Sequence, residues 1–225
     1  MLIVTGGSSG LGKDIAESLR SKGKEVLTIS RSQVQEGNDH FSCDISDHAM
    51  LRSIYKSIKS SKKPVEGLIN CAGIASMNLA LTTPSEMSEK IVRINLLGTI
   101  YTNQVFAPLI IRNKKGRIIN FSTIAVNLAL PGESIYVASK AGVEAFSRVF
   151  ANEMSPFNIT VNCIAPGPIK TNLLKGIENE KISKLINRQI IKREMSSIDV
   201  INIVNLLLHK DSSNITGQII HVGGV

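Results

Sequence analysis

The stretch Leu2-Ile3-Val4-Thr5-Gly6-Gly7-Ser8-Ser9-Gly10-Leu11-Gly12-Lys13 decides how the rest of the chain is read. Leu2–Thr5 is a short apolar run of the kind that forms a buried strand, and the glycines that follow interrupt it. A helical pattern then runs over Lys13–Ser21 and stops near Gly23. A strand that passes through a glycine turn into a helix gathers unpaired backbone N–H groups and the positive end of a helix dipole at one point. Glycine lets an anion approach that backbone closely. The spacing is G-x-x-x-G-x-G, not G-x-G-x-x-G. Gly6, Ser8, Ser9, Gly10, Leu11 and Gly12 are therefore read as a pyrophosphate cradle, with a plain strand-to-helix connection as the alternative.

Outward from this turn, short apolar runs alternate with longer helical patterns. Strands are expected at Glu25–Ser30, Gly67–Asn70, Arg117–Phe121, Thr160–Ile164 and Gln218–Val222. Helices are expected at His48–Lys59, Ser85–Ile110 with Ser85 as its cap, Tyr136–Met154, Ser183–Ile191 and Ser197–Leu208. This alternation predicts a single-domain α/β fold over residues 1–225: a doubly wound parallel sheet with helices on both faces. Ligands bind such sheets at the carboxyl ends of the strands, where the strand order switches.

Composition narrows the function classes. The chain has 225 residues, 43% hydrophobic and 20% charged, which suits one globular domain. No apolar run approaches the ~20 residues of a membrane span, and the N-terminal residues lack a signal-peptide pattern. A cytoplasmic protein is expected. Cys43, Cys71 and Cys163 show no metal spacing and read as reduced thiols. The net charge of +8 is consistent with a phosphorylated cofactor or an acidic partner, but basic stretches such as Lys56–Lys63 and Arg112–Lys115 read first as solvated surface. Aromatics are only 4%, too few for a nucleic-acid stacking surface.

The second strand leads to Ser30-Arg31-Ser32. An acid is common near this point, where it binds a ribose 2′-hydroxyl, but the next acid here is Glu36. Arg31 offers a multi-donor cation suited to a 2′-phosphate, which favours NADP(H) over NAD(H). Further on, Tyr136 and Lys140 stand four residues apart, so a helix places them on one face about 5–6 Å apart at Cβ. An adjacent ammonium favours the phenolate, so Lys140 is expected to lower the Tyr136 pKa and fit it for proton transfer at a carbonyl or alcohol oxygen.

Taken together, these residues resemble the short-chain dehydrogenase/reductase family, and the resemblance runs through essentially the whole chain. Thr5–Gly12 matches its cofactor turn, and Asp44-Ile45 its adenine-contacting pair. Asn70-Cys71-Ala72-Gly73 matches the Asn-x-Ala-Gly motif, and Asn95 the catalytic asparagine on a helix. Tyr136 and Lys140 match the active-site pair. Pro166-Gly167-Pro168-Ile169-Lys170-Thr171 matches the stretch beside the nicotinamide, and Ile215–Gly224 the C-terminal strand. One position departs from the pattern: Thr123 stands where the family carries its catalytic serine. Ser122 is adjacent, but strand alternation turns neighbours to opposite faces, so the role is assigned to Thr123, with Ser122 as the alternative.

The resemblance implies a Rossmann fold and hydride transfer between a nicotinamide and a ketone or secondary alcohol. It implies Asn95, Thr123, Tyr136 and Lys140 as catalytic residues. Cofactor contacts are implied for the glycine turn, Arg31, Asp44, Ile45, Asn70, Ala72, Gly73, Tyr136, Lys140, Pro166, Gly167, Ile169 and Thr171. Asn95 is expected to position a relay water for Lys140. The chain looks most like β-ketoacyl-acyl-carrier-protein reductases, so the substrate is expected to be a small carbonyl compound or acyl thioester. Pro168–Ser196 is expected to form a substrate lid, with Leu173, Leu174 and Ile177 either lining the pocket or packing on the core. The long helices, with Phe146, Val149 and Phe150, imply a homotetramer or homodimer. Two other readings remain: a nucleotide-binding scaffold of the same fold, and an NAD(H)-dependent alcohol or sugar dehydrogenase.

Overall fold

Seven parallel strands form one sheet in the computed structural model of the chain, which describes residues 1–32, 39–169, 183 and 185–225. The strands are β1 Leu2–Thr5, β2 Val26–Ser30, β3 His40–Ser42, β4 Gly67–Asn70, β5 Gly116–Phe121, β6 Ile159–Pro166 and β7 Ile219–Val222. Their order is β3-β2-β1-β4-β5-β6-β7. The chain builds outward from β1 to β3, then crosses back to lay β4 against the other side of β1. The order therefore switches between β1 and β4, with Thr5 level with Asn70.

Strand residues alternate between two hydrophobic cores. Met1, Ile3, Leu68 and Ile118 face one side, while Leu2, Val4, Ile69 and Ile119 face the other. This is why the central strands read as unbroken apolar runs rather than as alternating ones. The first face is covered by α2 (His48–Ser60), α4 (Gly98–Ile111) and α6 (Ser134–Met154). The second is covered by α1 (Gly10–Ser21) and α7 (Ser197–Leu208). Helix α7 opens with a capping box in which Ser196 and Asp199 satisfy each other's backbone N–H groups.

Several expectations need correction. The predicted helix over Ser85–Ile110 is not uniform: α3 (Ser85–Val92) passes through a π-helical segment, Arg93–Leu97, into α4. Its N-cap is Pro84, and no side chain caps it, so Ser85 does not serve. The continuous stretch Ser85–Ile111 is 27 residues and apolar enough to cross a membrane by length and composition, contrary to the reading of the sequence. Its most apolar window is 61% buried inside the fold, which is the pattern of a core helix. Strand β3 and the short helix α5 (Ala125–Leu128) were not anticipated. Only residues 185–187 of the helix expected at Ser183–Ile191 are described as a helical run, and Arg188 is already in a turn.

A buried amide cluster crosslinks the first layer. The Asn120 carbonyl oxygen accepts from Asn70 Nδ2 at 2.8 Å and from Asn103 Nδ2 at 3.1 Å. Its own Nδ2 donates to Ser147 Oγ at 2.9 Å, and Thr102 Oγ1 donates to Asn70 Oδ1 at 2.8 Å. Strands β4 and β5 are thereby tied to α4 and α6 by groups with almost no solvent access. Truncating the hub strands two amide donors in a dry site, each costing about 1–3 kcal/mol. Asn120→Ala is thus expected to lower unfolding stability by about 2–4 kcal/mol in urea titrations. The exposed Asn152→Ala should stay within about 0.5 kcal/mol of wild type, and matching midpoints for the two variants would contradict this role.

Candidate active site

The glycine turn is built where the sequence places it. Gly6 adopts φ +73°, and its N–H donates to the Ile29 carbonyl at 2.8 Å. A Cβ there would lie 2.9 Å from the Ala72 backbone, and one on Gly12 would lie 2.4 Å from the Gly6 carbonyl. The turn, the start of α1 and the Asn-x-Ala-Gly loop are therefore packed backbone to backbone. Thr5 Oγ1 adds a bond by accepting from the Ala72 N–H at 3.2 Å.

One cavity of about 570 Å³ runs from this turn along the carboxyl ends of the strands. Gly6, Ser8–Gly12, Arg31, Asp44 and Ile45 line one part, and Ala72, Gly73, Thr123, Tyr136, Lys140, Pro166, Gly167 and Ile169 line the other. At the glycine turn, the backbone N–H groups and the N-terminus of α1 could hold an anion such as a pyrophosphate. Asp44 Oδ1 is occupied locally, accepting from the Ser46 N–H and hydroxyl at 2.9 and 2.8 Å. Arg31 is exposed at the rim.

Two predicted residues lie off the cavity wall. Asn70 is 2% exposed and belongs to the Asn120 cluster instead, because the end of β4 turns its side chain into the core. Asn95 is fully buried, with both ends of its amide engaged: Oδ1 accepts from the Ile74 N–H at 2.8 Å, and Nδ2 donates to the Ile74 carbonyl at 2.9 Å and to Ser139 Oγ at 3.1 Å. It sits in the π-helical segment, where the extra residue of the wide turn changes the helix phase. Thr171, Leu173, Leu174 and Ile177, with most of the predicted lid, lie outside the described residues. The two ends of that segment are joined by a bridge between Ile169 and Met195.

Around the Tyr–Lys pair the geometry is specific. Lys140 is 5% exposed, and its Nζ donates to the Phe121 carbonyl at the end of β5 at 2.9 Å. A Cβ on Gly73 would lie 3.4 Å from that Nζ and 3.2 Å from Asn95 Oδ1, so the loop after β4 closes over both. Thr123 lies near enough to the Tyr136 hydroxyl to act on its pKa, and its Oγ1 accepts from the Ala125 N–H at 3.2 Å. Ser122 is committed elsewhere: its hydroxyl donates to Glu144 Oε1 at 2.7 Å in the buried interior.

The electrostatics depart from expectation. Burial holds the Tyr136 pKa well above its ordinary value, the Glu133 charge adds to this, and the nearby Thr123 side chain opposes it. Lys140 does not offset the burial of the phenol; burial lowers its own pKa. In the polypeptide alone Tyr136 is thus a protonated donor rather than a phenolate. Burial pushes the Cys71 and Cys163 thiols up to about 12 and Cys43 to about 11, which argues against a cysteine nucleophile.

Glu133 lines the cavity and was missed in the sequence. It precedes Tyr136 by three residues, a spacing that brings side chains together on a helix face, and that signal was available.

A doubly wound sheet whose glycine turn and Tyr–Lys pair open into one cleft defines an oxidoreductase. The chain belongs to the short-chain dehydrogenase/reductase family: the family model described as enoyl-(acyl carrier protein) reductase matches residues 6–224. Carbonyl reductase family member 4 of Xenopus laevis is 35% identical over 98% of this chain and 95% of its own length. The 3-oxoacyl-(acyl-carrier-protein) reductase FabG of Buchnera aphidicola subsp. Schizaphis graminum is 32% identical over 99% and 95%. Among solved structures, ligand-free aldohexose dehydrogenase of Thermoplasma acidophilum superposes with a TM-score of 0.90 at 27% identity, covering 99% of this chain and 92% of that one.

Proposed function

We propose that this protein is an NADP(H)-dependent ketone reductase, working in reverse as a secondary-alcohol dehydrogenase, with Tyr136 as its general acid and base. The observation that carries this reading is the single cavity shared by the glycine turn, Thr123, Tyr136 and Lys140. The names of the similar proteins point the same way, since each describes oxidation or reduction at a carbonyl carbon. The backbone of Gly6–Gly12 would hold the cofactor's pyrophosphate, Arg31 a 2′-phosphate, and Gly73, Lys140 and Ile169 its nicotinamide half. When bound, the cofactor supplies the hydride.

The chain's own residues handle the oxygen. Tyr136, buried and protonated, gives its proton to the oxygen that becomes the alcohol. Thr123 shares that oxygen through its hydroxyl and steadies the charge that develops there. Lys140, one turn along α6 and held by the Phe121 carbonyl, returns a proton to the phenol after transfer. Asn95 is a positioning residue: its amide clamps the Ile74 backbone and reaches Ser139, whose hydroxyl donates to the Tyr136 carbonyl at 2.6 Å. The segment 168–196 is read as the substrate lid, and the cytoplasm as the site of action.

An exposed apolar position on α6 supports self-association: Val149 is 60% exposed, while Phe146 and Phe150, stacked at 5.1 Å, are drawn into the core rather than adding to an outer face. A homotetramer is the reading, and light scattering should give about four times the 24.3 kDa chain mass. A monomer would overturn it.

Tyr136→Phe is expected to lower kcat by at least about a hundredfold while NADPH still binds, as read by cofactor fluorescence. Turnover near the wild-type rate would remove Tyr136 from the mechanism. For cofactor choice, Arg31→Ala should raise the KM for NADPH by about tenfold and leave that for NADH nearly unchanged. Equal changes for both cofactors would overturn the assignment of Arg31.

A further inference from the structure

Glu133 stands one helical turn before Tyr136 and is 9% exposed on the wall of the same cavity. It is the N-cap residue of α6, yet its carboxylate makes no capping bond. Among the described residues its carboxylate has no hydrogen-bond or ion-pair partner, and burial raises its pKa. Its charge nevertheless acts on the Tyr136 phenol, so the two groups serve one neighbourhood. Among the described residues, the cavity's other charged side chains are Arg31 and Asp44, beside the glycine turn, and Lys140, whose Nζ is already held by the Phe121 carbonyl. Much of the remaining wall is apolar, with Ile74, Met77, Ile124 and Leu185.

A carboxyl held in such surroundings is unfavourable unless a donor meets it. Ionised or protonated, it keeps a lone pair to accept with. Glu133, at the N-cap of α6, and Tyr136, three residues on, line the same cavity, so a substrate whose oxygen meets Tyr136 shares that cavity with the carboxyl. A site built to accept a substrate hydroxyl discriminates strongly against the analogue that lacks it, because the buried acceptor is then stranded.

We propose that Glu133 is a specificity-determining residue that accepts a hydrogen bond from a hydroxyl on the carbon beside the reacting carbonyl, so that the preferred substrates are hydroxyketones rather than plain alkyl ketones. The inference rests on the ketone-reductase reading and narrows it. A methylene at that place would leave the carboxyl desolvated and unmet, while a hydroxyl satisfies it and fixes which face of the carbonyl turns toward Tyr136.

The test compares kcat/KM for 1-hydroxy-2-butanone and 2-butanone, with whichever of NADPH and NADH supports turnover. Wild type is expected to favour the hydroxyketone by about tenfold or more. Glu133→Leu should bring the ratio close to one. Glu133→Gln keeps the shape and a weaker acceptor, so it should reduce the ratio several-fold, and it guards against a variant that merely fails to fold. No preference in wild type, or an unchanged ratio in Glu133→Gln, overturns the role of Glu133 and leaves the reductase reading standing. Failure of wild type to reduce either ketone, or any of a wider ketone panel, overturns that reading and this inference with it.

Discussion

A buried ammonium has to be met, and the bond from Lys140 to the Phe121 carbonyl is how this fold meets one. The carbonyl lies at the end of β5, at the point where the strand leaves the sheet and has an acceptor to spare. Helix α6 is thereby pinned to the rim of the sheet by its own side chain. Tyr136 is carried on that helix one turn earlier, and Thr123 follows β5 two residues later, so one bond brings the two hydroxyls together. Gly73 completes the enclosure from β4, because a side chain there would press on both Asn95 and Lys140.

Two polar systems in the interior divide the work. The Asn120 cluster fastens strands to helices, and Thr102 and Asn103 carry it on to the Thr99 carbonyl. The Asn95 system is directional: it runs from the Ile74 backbone through Asn95 and Ser139 to the Tyr136 carbonyl. The first sets where the layers lie. The second sets where the loop over the cavity lies relative to the helix that carries the phenol. Asn70 belongs to the first system although its sequence motif associates it with the second, and only the direction of its side chain separates the two.

Much of this was legible in the sequence. Leu2–Thr5 and Gly67–Asn70 are strands with the bounds read from their apolar runs, because a strand covered on both faces shows no competing period. The glycine turn and the Tyr–Lys spacing were equally plain, since each is a local geometry. What was not legible depends on surroundings. Spacing says that Tyr136 and Lys140 share a face, but not that burial outweighs the cation. Composition says that residues 85–110 are helical, but hydrophobic pattern alone does not reveal one wide turn at Arg93–Leu97. Strand β3 is three partly exposed residues and carries almost no apolar signal. Glu133 looks like an ordinary charged residue at a helix start until the cavity is seen beside it.

The wide turn also sets a phase. Each residue advances a regular helix by about 100°, so the extra residue between α3 and α4 decides which side of α4 looks at the sheet. Thr102 and Asn103 reach the amide cluster from beyond the wide turn, while Asn95 reaches Ile74 from within it. Shortening the segment by one residue would make a more regular helix and a worse protein. Either the cluster or the loop clamp would be turned away from its partners. The helix is thus two differently indexed gears on one shaft, and its length is as much a part of the site as any side chain.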